Sequence, residues 1–129
     1  PLGRRESGDP LWTNLRLAER KIFIPDEFRV QARTSGDEVR KVAEVIGRKL
    51  NASKGPVKFF IPTKGWSSIS TQGADLYEPS ADALFAPALK KSLRSGIEVC
   101  ELPMELNSPE FAEVLATALD GMIKESLRG

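Results

Sequence analysis

The sequence has 129 residues, enough for one domain with one hydrophobic core. Its 19 lysines and arginines nearly balance its 18 aspartates and glutamates, so the net charge gives no argument for binding nucleic acid or an acidic membrane. Histidine is absent and Cys100 is the single cysteine, which excludes a His/Cys zinc site, a histidine general base and a Ser-His-Asp triad within this chain.

The cellular compartment is indicated by what the sequence lacks. One cysteine permits no disulfide within the chain, which fits a reducing compartment, and no signal peptide is recognisable. No apolar run approaches the roughly 20 residues that are needed to cross a bilayer. We therefore expect a cytoplasmic protein with no membrane association.

Residues 1–20 are mixed and charged. Pro1–Gly3 is typical of a protease-site remnant from a cloning vector, and the remainder is typical of a linker or of a short helix that opens at Pro10. Residues 21–129 carry the pattern of an α/β subdomain, which begins with a strand. In that strand Phe28, Val30 and Ala32 alternate with polar residues, with a period of two.

A helix is predicted directly after this strand. Ser35 is followed three residues later by Glu38, and this pair is the signature of a capping box. Apolar residues at helical spacing continue from Val39 until the sequence reaches Asn51. The helix therefore connects the first strand to the second.

The second strand, from residue 57 to residue 61, is the centre of the predicted sheet. It places Phe59 on one face and Phe60 on the other, which is typical of a strand covered by helices on both sides. Pro62 has no N–H to donate, so strand pairing should stop there. The polar run Thr63–Thr71 then forms a loop. Ligands of open α/β sheets bind beyond the carboxyl ends of the strands, which is where this loop lies.

The remaining elements repeat the alternation of helix and strand. A helix begins near Glu78, and Pro87 within it must either kink it or start a second segment. Residues 97–102 form a third strand, and Ser108 with Pro109 gives a cap and a first position for the last helix. The order β-α-β-α-β-α predicts a three-layer Rossmann-like subdomain with a short parallel sheet of three strands and helices on both faces. So narrow a sheet suggests a piece of a larger protein, or an edge that pairs with a neighbour, including another copy in a homo-oligomer.

Three stretches together resemble one protein family. They are Arg33–Ser35 before a helix, the segment FFIPTKGWSSIS followed by DLYEPSAD, and the segment LNSPEF. The combination is similar to the second half of the ATP-binding region of the tomato mosaic virus resistance protein family, over about Lys21 to Leu127. The resemblance implies two Rossmann-like subdomains with an ATP site, so that the partner of this chain is a sibling subdomain of the same parent. This sequence lacks the histidines that relatives carry near the positions of Asp26 and Glu105.

The favoured function is therefore binding of ATP, with Mg²⁺ only as a companion of the nucleotide. Lys64 is a point charge suited to phosphate, and backbone N–H groups around Gly65 can approach an anion closely. The turn before the first helix is a second position suited to an anion. Plainer interpretations are a solvated lysine for Lys64, helix capping for Thr34 and Ser35, and a loop anchor for Trp66. The predicted binding residues are Arg33, Thr34, Ser35, Lys64, Gly65, Trp66, Ser67 and Ser68.

An interaction module that binds protein or RNA is the alternative. Exposed aromatic residues would anchor the partner, with Trp12, Trp66 and Tyr77 as candidates. The nearly neutral charge makes nucleic acid an unlikely partner for this piece alone.

An enzyme is the third hypothesis. Asp75, Glu78 and Asp82 follow the loop and could assist a metal-bound nucleotide. No residue has the pattern of a catalytic nucleophile, so the sequence assigns no catalytic group.

Overall fold

The computed structural model describes residues 20–128. Among these residues the chain forms two small sheets and four helices. In chain order the elements are β1 (Ile22–Phe23), β2 (Gln31–Ala32), α1 (Gly36–Asn51), β3 (Lys58–Pro62), α2 (Pro79–Asp82), α3 (Phe85–Ser92), β4 (Glu98–Leu102) and α4 (Pro109–Arg128). The predicted linker or helix before residue 20 and the candidate anchor Trp12 lie outside the described residues.

The central sheet is formed by β3 and β4, which are parallel. Phe59 lies opposite Val99 in this register. The sheet confirms the α/β class and the short parallel sheet that the sequence predicts, and it is consistent with a small Rossmann-like domain. Within residues 20–128 it has two strands rather than three.

The sequence predicted that strand pairing would stop at Pro62, but the pairing continues past it. Pro62 is the last residue of β3, and the next N–H along the chain, that of Thr63, donates to the carbonyl of Leu102 at 2.8 Å. Successive N–H groups of a strand point to opposite edges, so the Pro62 nitrogen lies on the edge away from β4. A proline is tolerated at such an open edge because no ladder bond is lost there.

The predicted first strand does not join the parallel sheet. Its last part, β2, pairs antiparallel with β1, with Ile22 opposite Ala32. Phe28 is 91% exposed and lies outside both strands. The cause is a local turn in which the Asp26 carboxylate accepts hydrogen bonds from the N–H groups of Phe28 (2.9 Å) and Arg29 (3.0 Å). Such turns compete with strand pairing, and the alternation of apolar residues did not reveal this one.

One face of the parallel sheet carries the hydrophobic core. Phe59 of β3 stacks on Phe85 of α3 with ring centroids 6.0 Å apart. α1 and α3 pack closely, since a Cβ added at Gly47 would lie 2.7 Å from the Cβ of Ser92. The buried residues of this core are Val39, Ala43, Ile61, Phe85, Ala86 and Leu89.

The helix after the loop is divided into two segments, which is one of the two outcomes predicted from the position of Pro87. α2 ends at Asp82, and α3 begins at Phe85. Pro87 then lies in the first turn of α3, where no intrahelical partner exists for an N–H, so its missing donor costs no helical bond.

The last helix lies on the other face of the sheet. Ser108 Oγ accepts a hydrogen bond from the Phe111 N–H at 3.2 Å, which confirms the predicted cap. Between α4 and the sheet runs a groove that is bordered by Phe60, Cys100 and Val114. Phe60 is half-buried, and so is Phe59 on the opposite face, whereas the sequence predicted a strand covered by helices on both sides.

Candidate functional site

A crevice of about 400 Å³ runs along β3 to its carboxyl end. Most of its lining is apolar or aromatic, with one charged and one hydroxyl side chain, and this composition is typical of small-molecule pockets. The crevice joins the turn before α1 to the loop after β3, two of the segments that the sequence predicted to form one site. Its lining residues are Arg33, Thr34, Val39, Val42, Ile46, Phe59, Phe60, Ile61, Pro62, Trp66, Phe85 and Leu106.

Arg33 is buried, and its charge is offset within the domain. Its Nη2 donates to the carboxylate of Asp82, and its Nε lies 3.5 Å from Oε2 of Glu78. Burial raises the pKa of the Asp82 carboxyl, and the hydrogen bond from Arg33 acts in the opposite direction. Among the described residues the Arg33 Nε has no hydrogen-bond partner. Two carboxylates therefore already neutralise the guanidinium that the sequence assigned to phosphate.

Thr34 and Ser35 differ in what they offer to a ligand. Ser35 caps α1: its Oγ accepts from the Glu38 N–H at 3.3 Å, and the Glu38 carboxylate accepts from the Ser35 N–H at 2.9 Å. The Arg20 guanidinium, 2.5 Å from Glu38, and then the Ser35 N–H lower the pKa of that carboxyl from 4.5 to about 2. A carboxylate thus occupies the amino end of α1, where an incoming anion would meet like charge. Thr34 is exposed and borders the crevice.

Gly65 shapes the loop after β3. Its φ is +134°, and a Cβ at this position would lie 2.8 Å from Cγ2 of Thr71. Its carbonyl accepts a hydrogen bond from the Leu106 N–H at 2.9 Å. Both observations give the glycine a structural role in placing its neighbours, exposed Lys64 and half-buried Trp66.

Ser70 holds this loop together, a role that was not predicted from the sequence. Its buried hydroxyl oxygen accepts from the N–H groups of Trp66 (3.1 Å) and Ser67 (3.0 Å). The N–H groups of Trp66 and Ser67, which follow Gly65 and were expected to approach an anion, are therefore already satisfied. The signal was the spacing of Ser67 and Ser70, since serine hydroxyls commonly bond to nearby backbone groups in turns.

Trp66 is both an anchor for the loop and part of the crevice wall, the two roles that the sequence left open. Its ring packs edge-to-face on Phe85, with centroids 5.2 Å apart, so it anchors the loop on the core. It also borders the crevice and a second cavity of about 510 Å³ that Lys90 and Glu101 line on the other side. Lys64, Ser67 and Ser68 do not line the crevice, although they belong to the same loop.

The acidic candidates do not converge on a metal position. Glu78 and Asp82 both pair with Arg33, and Asp75 is exposed. Within residues 20–128 no cluster of three or more histidine, cysteine, aspartate or glutamate residues is arranged to hold a metal ion. Over the same residues no helix combines the length and the apolar character that a bilayer span requires.

Comparison with known proteins corrects the resemblance drawn from the sequence. Residues 11–123 match the model of the uncharacterised protein family UPF0261, C-terminal domain. The expected membership of the tomato mosaic virus resistance protein family is therefore wrong. That inference depended on short loop motifs, whereas the family model matches most of the chain.

Bacterial relatives agree with this assignment. A UPF0261 protein of Mesorhizobium japonicum is 39% identical over 90 residues, which is 68% of this chain and 23% of the relative. A UPF0261 protein of Brucella suis is 27% identical over 120 residues, or 92% of this chain and 29% of the relative. The chain thus spans less than a third of the length of these relatives. It belongs to the UPF0261 family, in which it corresponds to the C-terminal domain.

Proposed function

We propose that this domain supplies one wall of a nucleotide-binding site in the full-length protein, with ATP as the ligand to test. The observation that carries the proposal is the crevice, because it brings the turn at Arg33 and Thr34 together with the loop at Trp66. Its volume of about 400 Å³ falls within the range of roughly 300–1,000 Å³ that is usual for ligand pockets. An apolar wall with an aromatic edge suits a purine base.

The charges decide which part of a nucleotide this wall contacts. Arg33 is already paired with Asp82 and Glu78, so it has little charge to offer a phosphate. Lys64 is exposed, and its ammonium has no partner among the described residues. The domain would therefore hold the base in the crevice and contribute one cation beside it. The remaining phosphate ligands, and any Mg²⁺ with them, would come from a sibling Rossmann-like subdomain of the same protein.

The test is titration calorimetry on the full-length protein with ATP and with adenosine. Val42→Trp should weaken binding of both ligands, because Val42 lines the crevice and is exposed enough for a larger ring to fill it. Val45→Trp is the matched control, since Val45 is exposed on the same helix and does not line the crevice. No heat with either ligand would refute the proposal.

Lys64→Ala separates the phosphate from the base. We expect it to weaken ATP binding by about 1–3 kcal/mol, the scale of a hydrogen bond to a charged group, and to leave adenosine binding unchanged. Lys91→Ala, an exposed lysine on α3, controls for the loss of one positive charge. Unchanged ATP binding in Lys64→Ala would remove this lysine from the site.

A second candidate function is a protein-interaction module, and one observation favours it. Four consecutive residues of β3, from Phe59 to Pro62, line the crevice, so the open edge of the strand borders it. An extended segment from elsewhere in the full-length protein could pair with this edge. Val42→Trp distinguishes the two functions: displacement of a paired segment would lower the melting temperature without any ligand, whereas a ligand site would lose only ligand binding. With either function, we propose that the protein is cytoplasmic.

A further inference from the structure

The outward side of α4 carries an apolar ridge, which is independent of the nucleotide proposal. The ridge consists of Leu115, Leu119, Ile123 and Leu127, whose exposed fractions range from 38% to 82%. These residues recur every four positions, so they form one continuous row along the helix surface. Single exposed leucines are ordinary, but a continuous row of them indicates an interaction surface.

The charges of α4 avoid this ridge. At 3.6 residues per turn the ridge and the exposed Ala112 and Ala116 share one side of the helix. Every charged residue of α4 falls on the rest of the circumference: Glu110, Glu113, Asp120, Lys124, Glu125 and Arg128. A helix whose outward side faces water normally places its charges there. Here the charges occupy one part of the exposed surface of α4, and the ridge occupies another part that carries none.

The sheet of this domain is too small to cover α4. The helix has 20 residues and is about 30 Å long, whereas the five-residue strands β3 and β4 are about 17 Å long. The sheet side of α4 is occupied by buried Phe111 and half-buried Val114, Ala118 and Met122, which form a different row from the ridge. The ridge therefore has no partner within residues 20–128.

We propose that this ridge packs against an apolar helix of the preceding domain in the same polypeptide chain. The chain aligns with only 23% of its Mesorhizobium relative, so most of such a protein lies outside this domain and is available as a partner. A row at every fourth position is the ridge that packs into the groove of another helix, and the flanking alanines allow a close approach. The same surface without charges is unsuited to nucleic acid.

Hydroxyl-radical footprinting on the full-length protein tests this assignment without any substitution. The measured quantity is the oxidation rate of each side chain in the native protein relative to the denatured protein. We expect Leu119 and Ile123 to be as protected as Leu89, which is fully buried in the core. Protection of the ridge only to the degree of a half-exposed side chain would overturn the proposal.

Charge substitutions on the ridge identify which partner packs against it. Leu119→Lys combined with Ile123→Lys should separate the domains and increase the radius of gyration of the full-length protein in X-ray scattering. Glu125→Lys is the matched control, because it introduces a lysine on the charged side of the same helix, and it should leave the radius unchanged. If the protection instead disappears on dilution while the sedimenting mass halves, the ridge contacts a second copy and the proposed partner is wrong.

Discussion

Helices α1 and α4 lie against the same sheet and are held in different ways. α1 is packed on α3 at Gly47, and it buries Val39 and Ala43 in the core. α4 is longer, yet Phe111 is its one fully buried residue within the described part of the chain. One face of the sheet is therefore completed inside the domain. The other face depends on the rest of the protein.

The largest expected effect on stability comes from truncating the two phenylalanines of β3, which we compare with each other. Phe59→Ala should lower the free energy of unfolding by about 3 kcal/mol, because the ring packs on Phe85 and its loss leaves a cavity. Phe60→Ala should cost about 1–2 kcal/mol, because both rings are half-buried but Phe60 faces the groove under α4 and lacks a stacking contact like that of Phe59 on Phe85. Denaturant titration of both variants measures the contrast, and equal losses would show that the α4 face is as well packed as the α1 face.

A smaller effect tests how α4 begins. Ser108→Ala should destabilise the protein by about 1 kcal/mol, because the Phe111 N–H loses its side-chain acceptor. Asn107→Ala is the control, since no capping hydrogen bond joins Asn107 to α4. A loss at Asn107 equal to that at Ser108, measured by thermal unfolding, would place the cap at the wrong residue.

The smallest effect concerns the amino end of α1 and its pH dependence. The folded-state pKa of Glu38 is about 2, below its ordinary value of 4.5, chiefly because Arg20 donates a hydrogen bond to it. Its stabilising contribution is therefore fully present above pH 4.5 and is lost as the pH falls towards 2. Glu38→Gln should flatten the dependence of stability on pH in this window, whereas Glu44→Gln on the exposed side of α1 should not. If Glu38→Gln leaves the dependence of stability on pH unchanged, the contact between Arg20 and Glu38 does not stabilise the protein in this window.

Local signals were sufficient to predict most of the elements. The capping box at Ser35 and Glu38, the division of a helix near Pro87 and the start of α4 after Ser108 each depend on residues within one turn of one another. The apolar pattern of β3 likewise indicated a strand with both faces apolar. In these regions the chemistry that fixes the backbone is contained in the local sequence.

The incorrect predictions have a common cause. In each case the residue that determines the local structure is either distant in sequence or a polar side chain that the apolar pattern does not include. Arg33 was assigned to phosphate, but it pairs with Asp82, 49 positions later in the chain. The first strand was assigned to the parallel sheet from its alternation, while the Asp26 turn directs it to β1. The crevice itself could be predicted only as a position at the carboxyl end of β3, because its walls come from four separate segments.

Pro62 places a boundary on the open edge of β3. Its nitrogen points away from β4, so an added strand could receive a hydrogen bond from the Phe60 N–H but none from the next outward-facing position. A ladder extended along this edge would therefore be weakest at Pro62, where only the carbonyl is left to pair. The part of the crevice beside Arg33, Thr34 and Trp66 would stay open. The same edge could thus accept a strand along its length and still leave room for a small ligand at its end.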